Sequence, residues 1–167
     1  CQIILQHFPD IRYSISHTTR SPRAGEQNGV DYFFTTVEDF LDGIQKGTWA
    51  EWARVHDNYY GTSIRFLDDA LQAGSDVLLD IDVQGAEQIM NQYPNAVTIF
   101  IMPPSLDVLQ ERLQDRGTDS KDVIDKRLQN AVEEMQKQSM YRHVVVNDRL
   151  EEAQKELIQI FNQYRNG

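Results

Sequence analysis

The chain is most informative at residues 14–26, which read SISHTTRSPRAGE. Arg20 and Arg23 lie three residues apart there, among hydroxyl side chains and a turn marked by Pro22 and Gly25. A guanidinium offers a planar fork of donors that matches phosphate oxygens, and hydroxyls add neutral hydrogen bonds. Two arginines at this spacing would, in isolation, more often be surface charges on a turn. In this setting they predict a loop that binds a phosphate group.

Short apolar runs alternate with helical patterns along the rest of the chain. The runs lie at residues 13–16, 77–81, 97–101 and 143–146, and they lack the alternation of a half-exposed sheet. Ser105 is predicted to cap one of the intervening helices. This order of strands and helices predicts an α/β fold with a parallel sheet covered on both faces, that is, three αβα layers.

Residues 21–74 differ in composition from the predicted core. They are rich in turns and aromatic side chains, and a single helix is predicted over residues 37–46, closed by Gly47. This stretch is predicted to form a lobe inserted between the first two core strands. Its aromatic residues include Tyr32, Phe33, Phe34, Trp49, Trp52, Tyr59 and Tyr60.

Composition excludes several classes of protein. The 167 residues suffice for one domain, and the net charge of −10 disfavours general binding to nucleic acid. No apolar run reaches the roughly 20 residues of a membrane span, so we expect a soluble protein that does not bind membranes. The single cysteine excludes an internal disulfide and fits the cytoplasm, and the scattered histidines give no metal-ligand spacing.

Further motifs follow the phosphate loop in order. They read NGVDY at residues 28–32, NYYGTS at 58–63 and LLDIDVQG at 78–85. With them, the chain resembles the guanylate kinase family, whose members move a phosphoryl group from ATP to GMP. The resemblance implies a P-loop-kinase-like fold in a single domain, with a core of residues 1–20 and 75–167. It also makes residues 21–74 the GMP-binding lobe and about 116–126 a lid over ATP.

One family motif is missing from these residues. The string G-x-x-x-x-G-K-[ST], which cradles phosphates in such kinases, occurs nowhere in the 167 residues. The chain starts at Cys1, and residues 2–8 are predicted to be the helix that follows that loop. We therefore expect that the first strand and the loop lie outside the given sequence, and that the sheet with that strand has five strands. Without them, this stretch should bind GMP but catalyse poorly.

The resemblance assigns most of the candidate site to GMP. It places Tyr32 and Tyr60 on the phosphate and Thr62 near the base, and it makes Glu51 the residue that recognises guanine. A carboxylate can accept hydrogen bonds from N1–H and the exocyclic amine of guanine, whereas adenine has no hydrogen at N1. In isolation, Glu51 could equally be an exposed strand residue. The implied GMP-binding set is Ser16, Arg20, Arg23, Glu26, Tyr32, Glu51, Tyr60, Thr62, Asp80 and Asp82.

The remaining candidates concern catalysis, ATP and the metal ion. Asp80 and Asp82 follow an apolar strand two residues apart, so we expect both on one face at its carboxyl end. The resemblance implies that one or both bind Mg²⁺ through water, and which acid does so stays open. The implied catalytic set is Arg20, Arg23, Arg112, Arg116, Arg127 and Asp80, and the implied ATP-binding set is Arg112, Arg116 and Asn147.

Two other functions compete with a guanylate kinase. The first is a non-catalytic binding module that uses a guanylate-kinase-like domain to recognise phosphopeptides or GMP, and the missing phosphate loop favours it. The second is another nucleoside monophosphate kinase, which Glu51 and the tyrosine-rich lobe disfavour. The assembly is expected to be a monomer or a homodimer.

Overall fold

The computed structural model describes residues 1–55, 57–117 and 120–165. The chain divides into two compact units, Cys1–Ala96 and Val97–Gly167. The first unit contains α1 (Gln2–His7), β1 (Arg12–Tyr13), β2 (His17–Thr18), β3 (Phe33–Phe34), α2 (Val37–Gln45), β4 (Trp49–Val55), β5 (Asn58–Ser63), α3 (Ile64–Gln72), β6 (Val77–Leu78) and α4 (Val83–Gln92).

Two sheets organise the first unit. β1 pairs in parallel with β6, with Arg12 opposite Val77 and Tyr13 opposite Leu78. The second sheet has four strands in the order β3-β2-β5-β4, in which β2 and β3 are parallel and the other pairs are antiparallel. Among the described strands, β4 is therefore an edge strand of this sheet.

Aromatic stacking fixes α2 on this four-stranded sheet. Phe40 of α2 is fully buried and stacks on Trp49 of β4 and Tyr59 of β5, with ring centroids 4.5 Å and 5.4 Å away. α2 itself begins where the side chain of Thr36 accepts a hydrogen bond from the amide of Asp39. α2 is thus held on the sheet by a stack of large rings, which bury much apolar area per residue.

A smaller apolar cluster joins β4 to the helices behind it. It is formed by Ala50 of β4, Leu67 of α3 and Ile89 of α4. Ser63 caps α3 by accepting from the amide of Phe66, and Asp82 caps α4. The first turn of α4 lies close to β4, because Gly85 contacts the side chain of Glu51.

The second unit repeats the strand-helix order. Its strands, β7 and β8, pair in parallel over their whole length, with Ile99 opposite His143. Val145 of β8 packs against Ala153 and Ile160 of the last helix. The elements are β7 (Ile99–Met102), α5 (Leu106–Asp115), α6 (Lys121–Gln136), a short 3₁₀ helix (Gln138–Met140), β8 (His143–Val146) and α7 (Leu150–Arg165).

The predicted α/β class is confirmed, since helices alternate with parallel strand pairs in both units. The strand at residues 143–146 and the helix cap at Ser105 are as predicted, and α2 differs from its prediction only by ending at Gln45. The predicted strand at residues 13–16 is wrong in detail, because pairing stops at Tyr13 and resumes with another sheet at His17.

The predicted strand over residues 77–81 is too long. Pairing ends at Leu78, so Asp80 and Asp82 lie beyond the strand rather than on its face. Asp82 is instead the residue before the first turn of α4, and its carboxylate accepts a hydrogen bond from the amide of Gly85 at 2.8 Å. Residues two apart share a face only within a strand, and Asp82 lies outside β6, where it caps α4 instead.

None of the helices in the described part of the chain is both long and apolar enough for a membrane span.

Candidate functional site

The predicted phosphate loop is closed by an ion pair between Arg20 and Glu26. Nη2 of Arg20 donates to Oε1 of Glu26 at 2.8 Å, and Oε2 of Glu26 accepts from the amide of Arg23 at 2.7 Å. Nη1 of Arg20 donates to the carbonyl of Ser21. Gly25 adopts φ +90°, a conformation that favours glycine. Glu26 therefore shapes the loop from within, while the side chain of Arg23 remains exposed.

Two tyrosines accompany Arg20. Its guanidinium lies over the ring of Tyr32 with 5.3 Å to the centroid, and the rings of Tyr32 and Tyr60 are 6.1 Å apart. Burial raises the pKa of Tyr32, so its hydroxyl stays protonated as a donor at neutral pH. The hydrogen bond with Glu26 raises the pKa of Arg20. A cation and phenolic donors therefore meet at one place, as a phosphate site requires.

Ser16 belongs to the same region of the chain. It lies half-buried between β1 and β2, and its carbonyl accepts from the amide of Phe33 at 2.9 Å. This hydrogen bond ties the start of the loop to the strand that follows Tyr32. The structure thus brings Arg20, Glu26, Tyr32 and Tyr60 together and places Ser16 just ahead of them in the chain.

Glu51 is an ionisable residue buried in the first unit. It is 3% exposed, and its Oε1 accepts a 2.6 Å hydrogen bond from the hydroxyl of Thr62, which is fully buried. Burial raises the pKa of Glu51 to about 7, with a smaller contribution from the charge of Asp82. A carboxylate kept from water with few partners is poised to accept hydrogen bonds from a ligand.

Gly85 makes room for this carboxylate. A β-carbon on Gly85 would collide with Oε2 of Glu51 and would lie 2.9 Å from its Cδ. Because the backbone of Gly85 is held by Asp82, the first turn of α4 forms a wall beside Glu51. Any larger residue at this position would displace either the helix or the carboxylate.

Asp80 lies at the other side of the same segment. It is exposed, and Oδ2 accepts from the thiol of Cys1 at 3.5 Å. Burial is the main cause of the raised pKa values of Tyr13 and Tyr32, and the nearby charge of Asp80 adds to both. Within the described residues, no three His, Cys, Asp or Glu side chains are grouped as a metal cage.

Among the candidates of the second unit, the structure brings Arg112 and Asn147 together. Arg112 of α5 donates to two backbone carbonyls, those of Asn147 at 2.7 Å and Asp148 at 2.9 Å. Arg116 is the exposed C-terminal cap of α5, and Arg127 lies half-buried in α6. Arg112 therefore ties the segment after β8 to α5. Within the predicted lid, Thr118 and Asp119 lie outside the described residues.

Sequence reasoning missed two residues beside Glu51. Gln88 and Gln92 of α4 bind backbone groups of β4 on either side of it. A signal existed, because Gln84, Gln88 and Gln92 recur every four residues and so mark one polar face of the helix. The structure alone shows that this face lies against an edge strand.

Comparison with known proteins points to a single family. The family described as guanylate kinase matches residues 2–164. The guanylate kinase of Geobacter metallireducens is 46% identical over 157 residues, which cover 94% of this chain and 77% of that protein. That of Neisseria gonorrhoeae is 49% identical over 162 residues, covering 97% and 79%. The crystal structure of guanylate kinase from Anaplasma phagocytophilum aligns with a TM-score of 0.83 at 34% identity, covering 98% of this chain and 80% of that one.

These matches give the class first. The P-loop-kinase-like α/β fold and the candidate phosphate site define a nucleoside monophosphate kinase, a nucleotide-binding transferase. The chain belongs to the guanylate kinase family. Its enzymatic function, predicted from the sequence, is thereby confirmed, and the competing non-catalytic interpretation is the weaker one.

Proposed function

We propose that this protein transfers the γ-phosphoryl group of ATP to GMP and produces ADP and GDP. A phosphate oxygen of GMP attacks the γ-phosphorus in line, and the bond to the bridging oxygen of ADP breaks without a covalent enzyme intermediate. The single observation that carries the proposal is the buried carboxylate of Glu51 with its pKa raised to about 7. A buried carboxylate with a raised pKa marks a candidate ligand-binding site.

Guanine recognition follows from the chemistry of this carboxylate. Oε1 is already engaged by Thr62, and the wall at Gly85 fixes the direction of Oε2. The ionised group accepts from N1–H and the exocyclic amine of guanine, and binding of GMP therefore favours loss of the proton. Adenine offers no N1–H, so a buried acceptor would stay unpaired, which costs on the order of 10⁴-fold in discrimination.

The phosphate of GMP is assigned to the first unit's cation and hydroxyl groups. Arg20 is pre-oriented by Glu26 and keeps its charge, and Arg23 is free to reach outward from the turn. Tyr32 and Tyr60 add hydroxyl groups that can donate hydrogen bonds to the phosphate. Together with Ser16, these groups orient the attacking oxygen and neutralise the phosphate.

The donor nucleotide is assigned to the second unit. We place Arg116 and Arg127 on the phosphates of ATP, where guanidinium groups stabilise the charge that spreads over the transferred group. Asn147 is assigned to the adenine edge. Arg112 donates a hydrogen bond to the carbonyl of Asn147. We therefore assign Arg112 two roles, which are to position the segment after β8 and to supply positive charge.

Mg²⁺ is the metal ion that this family's chemistry implies. It typically keeps several waters and binds through one or two carboxylates plus substrate phosphates. The exposed carboxylate of Asp80 fits this demand, whereas Asp82 is engaged in capping α4. We therefore assign Asp80 as the residue that would hold Mg²⁺ through water. When bound, the ion neutralises phosphate charge.

A non-catalytic module remains the second candidate because the 167 residues contain no G-x-x-x-x-G-K-[ST] string. Such a module would bind GMP or a phosphopeptide without turnover. We place the protein in the cytoplasm, where nucleotide pools and reduced thiols are found, and we expect it to act as a monomer or homodimer on nucleotides alone.

The test is GMP-dependent release of ADP from ATP and Mg²⁺ by protein expressed from the complete gene, with AMP in place of GMP as control. Rapid turnover with GMP and little with AMP is the expected result. Equal turnover of both nucleotides would refute the assignment of Glu51. Binding of GMP without any turnover would favour the non-catalytic module.

A further inference from the structure

The side chain of Gln88 covers the outer edge of β4 at Trp52. The backbone amide and carbonyl of an edge residue ordinarily face solvent or another strand. At Trp52, Oε1 of Gln88 accepts from the amide at 3.2 Å, and Nε2 of Gln88 donates to the carbonyl at 2.7 Å. The amide side chain thus pairs with Trp52 as a neighbouring strand would.

A second contact lies on the other side of Glu51. Nε2 of Gln92, one turn further along α4, donates to the carbonyl of Ala50 at 2.8 Å. Ala50 and Trp52 are the residues immediately before and after Glu51. The backbone of β4 is therefore hydrogen-bonded to α4 at the residue before Glu51 and at the residue after it. We call Gln88 and Gln92 the glutamine clamp.

The same helix also touches the carboxylate itself. Gly85 lies one turn before Gln88, and its missing side chain leaves the space that Oε2 of Glu51 occupies. The amide of Gly85 is held in turn by Asp82. α4 consequently fixes Glu51 from two directions, through the backbone of β4 and through direct contact at the helix N-terminus.

We propose that Gln88 is a positioning residue for nucleotide selectivity, which acts through the backbone of Trp52 to hold the carboxylate of Glu51 in register with the guanine edge. This inference rests on the proposed function of Glu51. A recognition group must be held within about 0.5 Å of its productive position. Gln88 makes two of the clamp's three contacts with β4 and is therefore its main member.

The chemistry of the clamp requires a primary amide of this length. Methionine has nearly the same shape but neither donates nor accepts strongly, so Gln88→Met removes both hydrogen bonds to Trp52. Trp52 is 37% exposed, so water can take over its backbone groups and the variant should fold. The matched control is Gln72→Met, at the exposed last residue of α3.

The experiment measures Kd for GMP and for AMP by calorimetry in wild type, Gln88→Met and the control. We expect Gln88→Met to weaken GMP binding by about 5- to 10-fold, the equivalent of one hydrogen bond's net contribution, and to leave AMP binding unchanged. The ratio of the two Kd values should fall by the same factor. A ratio equal to that of Gln72→Met would overturn the inference.

The variant Glu51→Gln separates this inference from the proposed function. If Glu51→Gln retains the preference for GMP, the proposed function fails and the inference falls with it. If Glu51→Gln loses the preference while Gln88→Met keeps it, only the inference fails. In the double variant, Gln88→Met should have little further effect on the ratio, because residues that act through one group are not additive.

A measurement on the wild type covers the case in which Gln88→Met does not fold. Hydrogen exchange followed by NMR should show a protected amide at Trp52, although the residue is exposed and lies on a sheet edge. Exchange of this amide as fast as that of an unstructured peptide, in otherwise folded protein, would overturn the clamp.

Discussion

Replacing Glu51 with glutamine should change stability in a way that depends on pH. Burial raises the pKa of this carboxyl from 4.5 to about 7, so the folded protein favours the protonated form. Between pH 4.5 and 7 the unfolded chain ionises first, and stability is lost as the pH rises through this window. At about 1.4 kcal/mol per unit of pKa, the full loss is about 3 kcal/mol.

Glutamine has the shape of the protonated acid but cannot ionise. Oε1 of the amide can still accept from Thr62, as the carboxylate does. Relative to wild type, we expect Glu51→Gln to gain about 2 to 3 kcal/mol of stability between pH 5 and pH 8, because only the wild type pays for a buried charge. Urea denaturation at the two pH values measures this difference. The matched control is Glu156→Gln, at an exposed position of α7.

If the free energies of unfolding of wild type and Glu51→Gln differ by the same amount at pH 5 and pH 8, the reasoning is refuted.

The same variant should bind GMP and AMP with comparable affinity, since it loses the second acceptor for the guanine edge. Calorimetry in two buffers of different ionisation enthalpy should also show that wild type releases more protons on binding GMP than Glu51→Gln does at pH 6.5. Equal proton release would contradict a titrating Glu51.

Three further substitutions test other parts of the molecule. Gly85→Ala should weaken GMP binding by about tenfold or more, because the new methyl group meets the carboxylate of Glu51; unchanged Kd would exclude the close approach. Arg20→Lys should raise Kd for GMP by about tenfold while the protein stays folded, since lysine lacks the planar fork, and an unaltered Kd would remove Arg20 from the phosphate site. Ser105→Ala should lower the free energy of unfolding by about 1 kcal/mol through loss of the α5 cap, without any effect on GMP binding; urea denaturation and calorimetry check both parts.

Local chemistry explains which elements the sequence predicts well. β8 has the predicted bounds because His143 and three consecutive β-branched valines, Val144–Val146, lie between polar residues. The cap at Ser105 is equally local, since a serine before an apolar helical pattern satisfies free amides. In both cases the determining contacts lie within a few residues, so periodicity and caps suffice.

Long-range contacts explain what the sequence does not reveal. Asp82 was expected on a strand face, but the turn into α4 makes it a helix cap. Glu51 was recognised by resemblance, yet nothing near it in the sequence indicates that it is buried beside Gly85, 34 residues later. The spacing of Gln84, Gln88 and Gln92 marks a polar helix face, but it does not reveal that Gln88 binds β4, because its partner Trp52 lies 36 residues away in the chain.

The covered edge of β4 also bears on strand addition between molecules. An exposed, regular edge strand is a template on which another polypeptide can add a strand, and many proteins prevent this with charges, prolines or bulges. Here Gln88 occupies both backbone groups of Trp52, and the strand is further interrupted by a register shift between Trp49 and Glu51. A variant that opens this edge should therefore aggregate sooner on heating, even while its fold at low temperature is intact.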